Sequence, residues 1–524
     1  MYSIQSSEDK KIEKKTVESE DYLQVTDLVT NFFTSRGIVK ALDKVTFSIR
    51  KGEIFGMVGE SGCGKSVTAL SVMDLVPDPP GRVVGGKVLI DGFNIFADID
   101  QVARIKVKSE TDVKIKRNKR AFKRHNFILS KIRGKKAGMI FQEPSLALNP
   151  VLRSGDQITE NILLHNKAEI ADSLINRANL SLDDVKKLVD EVGGNRSEIK
   201  QIINSWCRIN ALSDLESQII SIFQNYSDPN EVEREIVTLI KSGLLSVDKE
   251  ILIEARDYYR YKEQIESLDL RRYAANENLD EVALRKIDEE HTSLVQKYGA
   301  RFHSYELKRV FTKRKVEKVF KTEATRRAKE LLTLVSLPDP DRILRSYPHE
   351  LSGGMQQRLM IAIALASNPK LLIADEPTTA LDVTTQAQIL RLLRNLNKIV
   401  GASILFITHD LAVIAEMCNR VAVMYAGSIV EQGEVLDIFD NPKHPYTVGL
   451  LGAIPTPSVK SHEGVSLHTI PGNVPNLITP PKGCRFHPRC SFAMPVCSES
   501  KPKLVDLEGD HKVACFLYSS EVEA

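Results

Sequence analysis

Apolar and polar positions alternate through residues 23–49, in the runs LQVTDLVTNFF and ALDKVTFSI, which is the period of half-buried β-strands. A short apolar run at 53–58 predicts a buried strand that leads into a glycine-rich turn and then a helix, VTALSVMDLV, ended by Pro77. Beyond Pro369, KLLIAD and ASILFIT predict buried parallel strands, with the helix AQILRLLRNLNKIV between them. The alternation of strands and helices indicates an α/β fold.

A different pattern separates these two parts of the chain. From about residue 167 to 319, apolar residues recur at helical spacing, as in Leu182, Val185, Leu188, Val189 and Val192. Gly193–Gly194, Asp228–Pro229 and Gly243 break the run into separate helices, and no heptad persists as a long coiled coil requires. We therefore predict an all-α insertion at 166–322, between a first core part at 21–165 and a second at 323–440.

Three further segments stand apart from this pattern. Residues 1–20 are polar and charged and predict a disordered leader, and residues 441–524 are proline-rich and predict an irregular C-terminal region. Within the first core part, the segment 101–136 is strongly basic. Either it is a solvated loop or exposed helix, or it contacts anionic lipid or RNA. Its charges are Lys114, Lys116, Arg117, Lys119, Arg120, Lys123 and Arg124, opposed by Glu110 and Asp112.

Composition narrows the class of protein. The 524 residues are 42% hydrophobic and 27% charged, as in ordinary globular proteins, and the net charge of +3 is too small to argue for nucleic acid. The N-terminus lacks the apolar core of a signal peptide, and no stretch approaches the roughly 18 apolar residues of a membrane helix. We expect a cytoplasmic protein.

A phosphate-binding loop follows the predicted strand at 53–58. Its glycines let backbone N–H groups curve around a phosphate, and the next helix presents its N-terminus to the same anion. The lysine supplies a charge to the β- and γ-phosphates of ATP, and the serine hydroxyl ligates Mg²⁺. The loop fits G-x-x-x-x-G-K-[ST] through Gly59, Glu60, Ser61, Gly62, Cys63, Gly64, Lys65 and Ser66.

A second acidic element ends the apolar strand that begins at Leu371. Asp375, at the strand terminus, can reach the Mg²⁺ shell, while Glu376 points elsewhere and can polarise the attacking water. Together with the phosphate loop, this pair predicts a nucleotide hydrolase.

A third motif, LSGGMQ at 351–356, combines a hydroxyl, glycine amides and a helix N-terminus into another phosphate-binding surface. With it the chain resembles the ABC transporter ATPase family. The resemblance implies an ABC-type P-loop nucleotide-binding domain, in which a RecA-like core joins an antiparallel β subdomain and a helical subdomain. It also implies that two such subunits sandwich two nucleotides. The LSGGMQ motif, which is the signature of the family, then faces the γ-phosphate bound by the partner subunit.

The resemblance assigns roles to further positions. It implies that Glu376, His409 and Gln142 are catalytic, and that Ser66, Gln142 and Asp375 hold Mg²⁺. It implies an adenine-stacking aromatic at Phe32 or Phe33, and places Asp382 in a loop across the dimer. The remaining nucleotide contacts that it implies are Val67, Ser352, Gly353, Gly354 and Gln356.

Three stretches resemble the oligopeptide/dipeptide permease branch of the family, namely MIFQEPSLALNP, the segment from YPHELSGG to TTQAQIL, and NPKHPYTVGLL. This implies a peptide importer on the cytoplasmic face of the membrane. The implied partners are a second ATPase subunit in a heterodimer, two membrane permease subunits and an extracellular peptide-binding lipoprotein, with no nucleic acid. The alternative is a soluble ABC ATPase of DNA repair or chromosome maintenance. The basic segment and the insertion depart from the family pattern.

Four cysteines crowd the C-terminal region in the spacing C-x5-C-x6-C-x17-C, which does not match the C-x2-C pairs of zinc fingers. In the permease branch a similar motif is associated with a [4Fe–4S] cluster, and thiolate tetrads suit such clusters. An iron–sulfur cluster, a zinc ion and free thiols remain open alternatives. The residues are Cys484, Cys490, Cys497 and Cys515.

Overall fold

A computed structural model describes most of the chain. The described residues are 21–107, 113–180, 182–195, 198–209, 216–226, 228–242, 247, 249–277, 280–379, 381–453, 470–519 and 521. The leader predicted at 1–20 lies outside them, as do Glu110, Asp112, Gly243 and Ala380.

The core is an eight-stranded sheet of order β13-β14-β12-β11-β3-β10-β9-β8. The strands β8, β9, β10, β3 and β11 are parallel, and every residue of β3, β9 and β10 is buried, as their continuous apolar sequence predicts. The C-terminal region was predicted to be irregular, which is wrong in part, because its two short strands extend this sheet. The strands are β3 (Ile54–Val58), β8 (Ala137–Ile140), β9 (Leu371–Asp375), β10 (Ser403–Ile407), β11 (Arg420–Tyr425), β12 (Ser428–Glu434), β13 (Val505–Asp506) and β14 (Lys512–Val513).

A second, antiparallel sheet of order β2-β1-β4-β5 packs against the first through a shared apolar cluster that includes Leu28, Val45 and Phe55. Gly86 lets two strands of this sheet approach, because a Cβ there would lie 2.5 Å from the Asp27 carbonyl oxygen. The strands are β1 (Asp21–Thr34), β2 (Gly37–Arg50), β4 (Gly81–Ile90) and β5 (Phe93–Asn94).

Helices cover the main sheet and bury their apolar faces in its core. α14 is buried along most of its length, whereas α15 is amphipathic and ends at Gly401 in a left-handed conformation. The core helices are α1 (Lys65–Val72), α4 (Pro144–Ala147), α5 (Ser154–His165), α13 (Pro340–Arg345), α14 (Gly353–Leu365), α15 (Val383–Val400), α16 (Leu411–Met417), α17 (Val435–Asp440), α18 (Pro445–Gly452) and α19 (Pro495–Glu499).

Where it is described, most of the basic segment is regular secondary structure, and its one long helix is exposed on one face, which agrees in part with the predicted exposed helix. It forms α2 (Ile99–Val102), an antiparallel hairpin of β6 (Ala103–Val107) and β7 (Val113–Arg117), and α3 (Lys119–Ile132). α3 buries its apolar face, including Ile128 and Leu129, in the core, while its basic residues line the opposite face. Four of the seven cationic residues at 114–124, Lys119, Arg120, Lys123 and Arg124, therefore lie on the solvent side of an amphipathic helix, and the other three belong to β7.

His125 of α3 is buried between two carboxylates. Its Nδ1 lies 2.8 Å from Asp98 and its Nε2 lies 3.1 Å from Asp74, two residues after the end of α1. Arg133 donates to the Met73 carbonyl at 2.8 Å and to the Asp74 carbonyl. The C-terminal part of the basic segment thus hydrogen-bonds to the residues at the end of α1, the helix that begins at the phosphate loop.

The region predicted as an all-α insertion consists of helices joined by short links wherever it is described. Four short helices, α7 to α10, enclose an apolar cluster of their own, and two long helices, α11 and α12, pack together and against the core. Residue 322, the predicted end of the insertion, lies within α12. None of the described helices is both long and apolar enough to cross a membrane. The helices are α6 (Lys167–Asn179), α7 (Leu182–Gly194), α8 (Ile199–Ile209), α9 (Glu216–Asn225), α10 (Pro229–Ser242), α11 (Lys249–Glu277) and α12 (Glu281–Leu334).

Candidate functional site

The predicted phosphate loop connects β3 to α1. Gly64 at the start of α1 has φ 109°, in the left-handed region that favours glycine, and a Cβ on Gly59 would lie 2.1 Å from the Met424 carbonyl oxygen. No side chain caps the N-terminus of α1. Its first N–H groups are therefore available to an anion.

Lys65 and Ser66 point back into this loop from the first turn of α1. Lys65 is buried, and its Nζ donates to the carbonyls of Gly59 at 2.8 Å and Glu60 at 3.1 Å. Ser66 Oγ donates to Asp375 Oδ1 at 3.0 Å, across from the end of β9. Two of the three predicted Mg²⁺ ligands, Ser66 and Asp375, are thus neighbours.

Burial raises the pKa of Asp375 to about 6, and the nearby charge of Glu376 adds to the effect, against the hydrogen bond from Ser66 and the charge of Lys65. A divalent cation at this carboxylate would favour its ionised form. The oxygens of Asp375, Ser66 and the neighbouring Gln142 side chain are ligands that suit Mg²⁺.

Glu376 is the centre of a polar cluster. Its φ of 44° is unusual for a residue with a side chain. Gln142 Nε2 and Thr379 Oγ1 both donate to Glu376 Oε2, at 3.2 Å and 2.8 Å. His409 Nδ1 lies 3.4 Å from the same oxygen. The structure therefore brings the three predicted catalytic residues together, and it adds Thr379, which the sequence motifs did not single out.

A pocket of about 390 Å³ opens beside these groups. Phe32 lines it, and Phe33 is absent from the described lining residues. The sequence did not decide which of these two aromatic side chains stacks on adenine. Leu477 from the C-terminal region forms one side of the pocket. Its backbone carbonyl accepts a hydrogen bond from the Lys40 N–H at 2.9 Å. The described lining is Phe32, Val39, Ala41, Ser61, Gly62, Gly64, Lys65, Ser66, Val67, Gln142, Glu376 and Leu477.

Cys63 and Glu60 face away from this pocket. Cys63 is fully buried beneath the loop, and burial raises the pKa of its thiol. The Glu60 carboxylate pairs with Arg489 of the C-terminal region at 2.9 Å, and the Glu60 N–H donates to the Tyr446 hydroxyl at 3.0 Å. Two residues far away in sequence thus brace the phosphate loop, and no motif signals them.

The signature residues lie apart from this pocket. Ser352 precedes α14 without making a side-chain cap, and Ser352 and Gly353 are exposed, so the N–H groups at the start of α14 face outward. Gln356 was predicted to bind ATP, but its amide donates to the carbonyls of Pro348 at 2.8 Å and Leu351 at 3.1 Å. Gly354 packs close to Thr385, and the Asp382 side chain accepts the Thr385 N–H at 2.9 Å as the cap of α15.

The four C-terminal cysteines line one small cavity of about 20 Å³, together with His444 and aromatic side chains. None of the four forms a disulfide, and burial raises the pKa of the Cys484 thiol to about 11. In the described part of the chain, no three His, Cys, Asp or Glu side chains are arranged to hold a metal ion. The thiols converge without forming a ligand set.

Comparison with known proteins agrees with this geometry. The model of the family described as ABC transporter matches residues 42–232 and 251–379, and the model described as oligopeptide/dipeptide transporter, C-terminal region, matches 430–497. A probable peptide ABC transporter ATP-binding protein, y4tR, of Sinorhizobium fredii is 32% identical over 94% of both chains.

Two further relatives extend this similarity along nearly the whole chain. The oligopeptide transport ATP-binding protein OppD of Bacillus subtilis is 32% identical, over 94% of this chain and 88% of its own. OppD of Escherichia coli is 31% identical, over 94% and 92%. The chain therefore belongs to the ABC transporter family of ATP-binding proteins and carries the C-terminal region of its oligopeptide/dipeptide branch.

Proposed function

We propose that this chain is the ATP-hydrolysing subunit of a peptide importer. The observation that carries the proposal is the convergence of Lys65, Ser66, Asp375, Gln142 and Glu376 around one pocket. The C-terminal region matched at 430–497 favours a peptide transporter over an ATPase of DNA repair or chromosome maintenance. The basic segment encouraged that alternative, but four of the seven cationic side chains at 114–124 form the solvent face of the amphipathic α3.

The residues around the ATP pocket have distinct roles in ATP hydrolysis. The amides of the phosphate loop and the Lys65 ammonium bind the β- and γ-phosphates, and Phe32 stacks on adenine. Ser66, Asp375 and Gln142 would hold Mg²⁺, which would supply positive charge to the phosphates. Glu376 accepts a hydrogen bond from the attacking water and polarises it. Gln142, Thr379 and His409 hold the Glu376 carboxylate in place.

The exposed start of α14 supports a two-subunit sandwich. Its outward N–H groups and the Ser352 hydroxyl bind the γ-phosphate held by the phosphate loop of a second ATPase subunit, and the partner's signature serves this chain in return. Two membrane permease subunits and an extracellular peptide-binding lipoprotein complete the importer. The chain sits at the cytoplasmic face of the membrane and binds no nucleic acid.

The test uses the importer complex in liposomes. Glu376→Gln keeps the shape of the side chain but removes its charge, so we expect ATP hydrolysis to fall at least 100-fold while ATP still binds. The matched control is Glu289→Gln, an exposed position on α12, which should hydrolyse ATP normally. Hydrolysis at the normal rate in Glu376→Gln would contradict the catalytic role. Stimulation by DNA and not by peptide would contradict the transport function.

We also propose that Cys484, Cys490, Cys497 and Cys515 hold a [4Fe–4S] cluster. The proposal is supported by the four cysteines lining one apolar cavity, although their side chains are not arranged as a ligand set and would have to move together around a cluster. Such a cluster would cross-link the C-terminal region, and its role is structural. Protein purified without oxygen should absorb visible light and contain iron and sulfide, and Cys497→Ser should lose both, whereas Cys207→Ser in α8 should keep them. Colourless protein with zinc, or with four titratable thiols, would refute the cluster.

A further inference from the structure

A second large cavity lies away from the ATP site. It occupies about 430 Å³ between the antiparallel sheet, the β11–β12 hairpin and the C-terminal region. None of its described lining residues belongs to the phosphate pocket. Its size falls within the usual range of small-molecule sites.

Much of the lining of this cavity is apolar, although Thr46, Ser428 and Gln432 also contribute to it. Its apolar walls include Ile429 and Val430 of β12, Phe486, Leu504 and the fully buried Tyr425. An apolar body that enters is therefore removed from water, which favours binding in proportion to the area buried.

Five cationic side chains line the same cavity against two carboxylates. Arg485 and Lys501 both bind Asp43, at 2.7 Å and 3.0 Å. Burial disfavours the Asp43 carboxylate, but the charges of Lys501 and Arg485 outweigh burial and hold its pKa below its ordinary value. These three residues form a fixed, charged part of the wall.

The outer rim is more adaptable. Lys503 pairs with Glu521 at 2.9 Å and Lys512 with Asp506 at 2.7 Å, in ion pairs that are largely exposed. Exposed pairs of this kind contribute only about 0–1 kcal/mol, so an incoming anion can replace either carboxylate at little cost.

We propose that this cavity binds a small organic monoanion with an apolar body, such as a medium-chain carboxylate. The apolar body fills the interior, and the carboxylate pairs with Lys503 and Lys512 at the rim. A neutral ligand of the same shape would lack the ion pairs with Lys503 and Lys512 and would therefore bind more weakly. A compact polyanion would gain nothing from the apolar walls, and Asp27 and Asp43 would repel it.

Octanoate is the probe, with binding to the full chain measured calorimetrically while MgADP saturates the ATP site. We expect one saturable site, with octanoate bound at least tenfold more tightly than butyrate or 1-octanol. Lys503→Glu combined with Lys512→Glu should weaken octanoate at least tenfold. The matched control, Lys186→Glu with Lys187→Glu on the exposed face of α7, should leave it unchanged.

Several outcomes would overturn the proposal. Equal binding of 1-octanol would show that charge plays no part, and equal binding of butyrate would show that the apolar interior is not used. Octanoate binding that is unsaturable, or that is unaffected by the two rim substitutions, would place it elsewhere on the chain. Displacement of octanoate by inorganic phosphate would point to a site for compact anions.

Discussion

His125 offers a sharp test because its charge stabilises the fold over a definite pH range. The groups around it are Asp98, Asp74 after α1, Arg124 beside it on α3, and Tyr273 on α11. Burial opposes the charged form, but the hydrogen bonds to Asp74 and Asp98 outweigh it and raise the pKa of His125 to about 9. Relative to an ordinary value of about 6.5, this corresponds to about 3 kcal/mol of stability.

The sign follows from the direction of the shift. A raised folded-state pKa stabilises the protein fully below pH 6.5, and the contribution disappears as the pH rises through 9. His125→Gln can donate a hydrogen bond but cannot become charged. Its unfolding midpoint should therefore lie several degrees below that of the unmodified chain at pH 6, and the gap should close by pH 9.5. Thermal unfolding followed by tyrosine and tryptophan fluorescence measures the midpoints of the unmodified chain and of His125→Gln at each pH.

His165 provides a control of opposite sign. Burial, with the nearby charge of Lys135, lowers its pKa, so it contributes stability above pH 6.5 that is lost as the pH falls. For His165→Gln the gap should shrink on acidification and not on alkalinisation. A gap for His125→Gln that is the same at pH 6 and pH 9.5 would refute the proposed charged cluster.

Two further predictions concern the ATP pocket and the antiparallel sheet. Phe32→Ala should weaken MgATP binding about tenfold, by loss of a stacking contact of roughly 1–1.5 kcal/mol, while Phe33→Ala should leave it unchanged; titration with a fluorescent ATP analogue distinguishes them. Equal effects would mean that Phe32 does not face adenine. Gly86→Ala should destabilise the protein by about 3 kcal/mol, because φ is 100° and the new Cβ would meet the Asp27 carbonyl oxygen at 2.5 Å. Gly92→Ala, with φ 78° and open space around the new Cβ, should cost only about 1 kcal/mol; similar losses in urea unfolding would contradict the steric argument.

The ATP site was largely predictable because its parts are local. The phosphate loop, the apolar strand before Asp375 and Glu376, and the motif at Ser352 each carry their chemistry within a few consecutive residues. The strand and helix between which the phosphate loop lies were also visible as runs of apolar residues. Local sequence is sufficient where backbone conformation alone places the functional atoms.

The groups that the sequence did not reveal act through pairings over long separations. Arg489 braces Glu60 across more than 400 residues, and Leu477 closes the ATP pocket from the C-terminal region. The basic segment looked solvated because its charges outnumber the apolar residues that α3 buries. His125 stood among cations in sequence, and only the fold places it between two carboxylates. Such contacts depend on tertiary packing, which a charge count does not contain.

α12 joins the insertion to the part of the core that leads to the signature. Its 54 residues form one helix, which at 1.5 Å per residue extends about 81 Å. Its C-terminal part contacts α14, while its first turns pack against Leu268 and Ala275 of α11. Leu270 of α11 belongs in turn to the apolar cluster of the antiparallel sheet. A movement of α14 during the ATP cycle would thus be transmitted along α12 and α11 to that sheet.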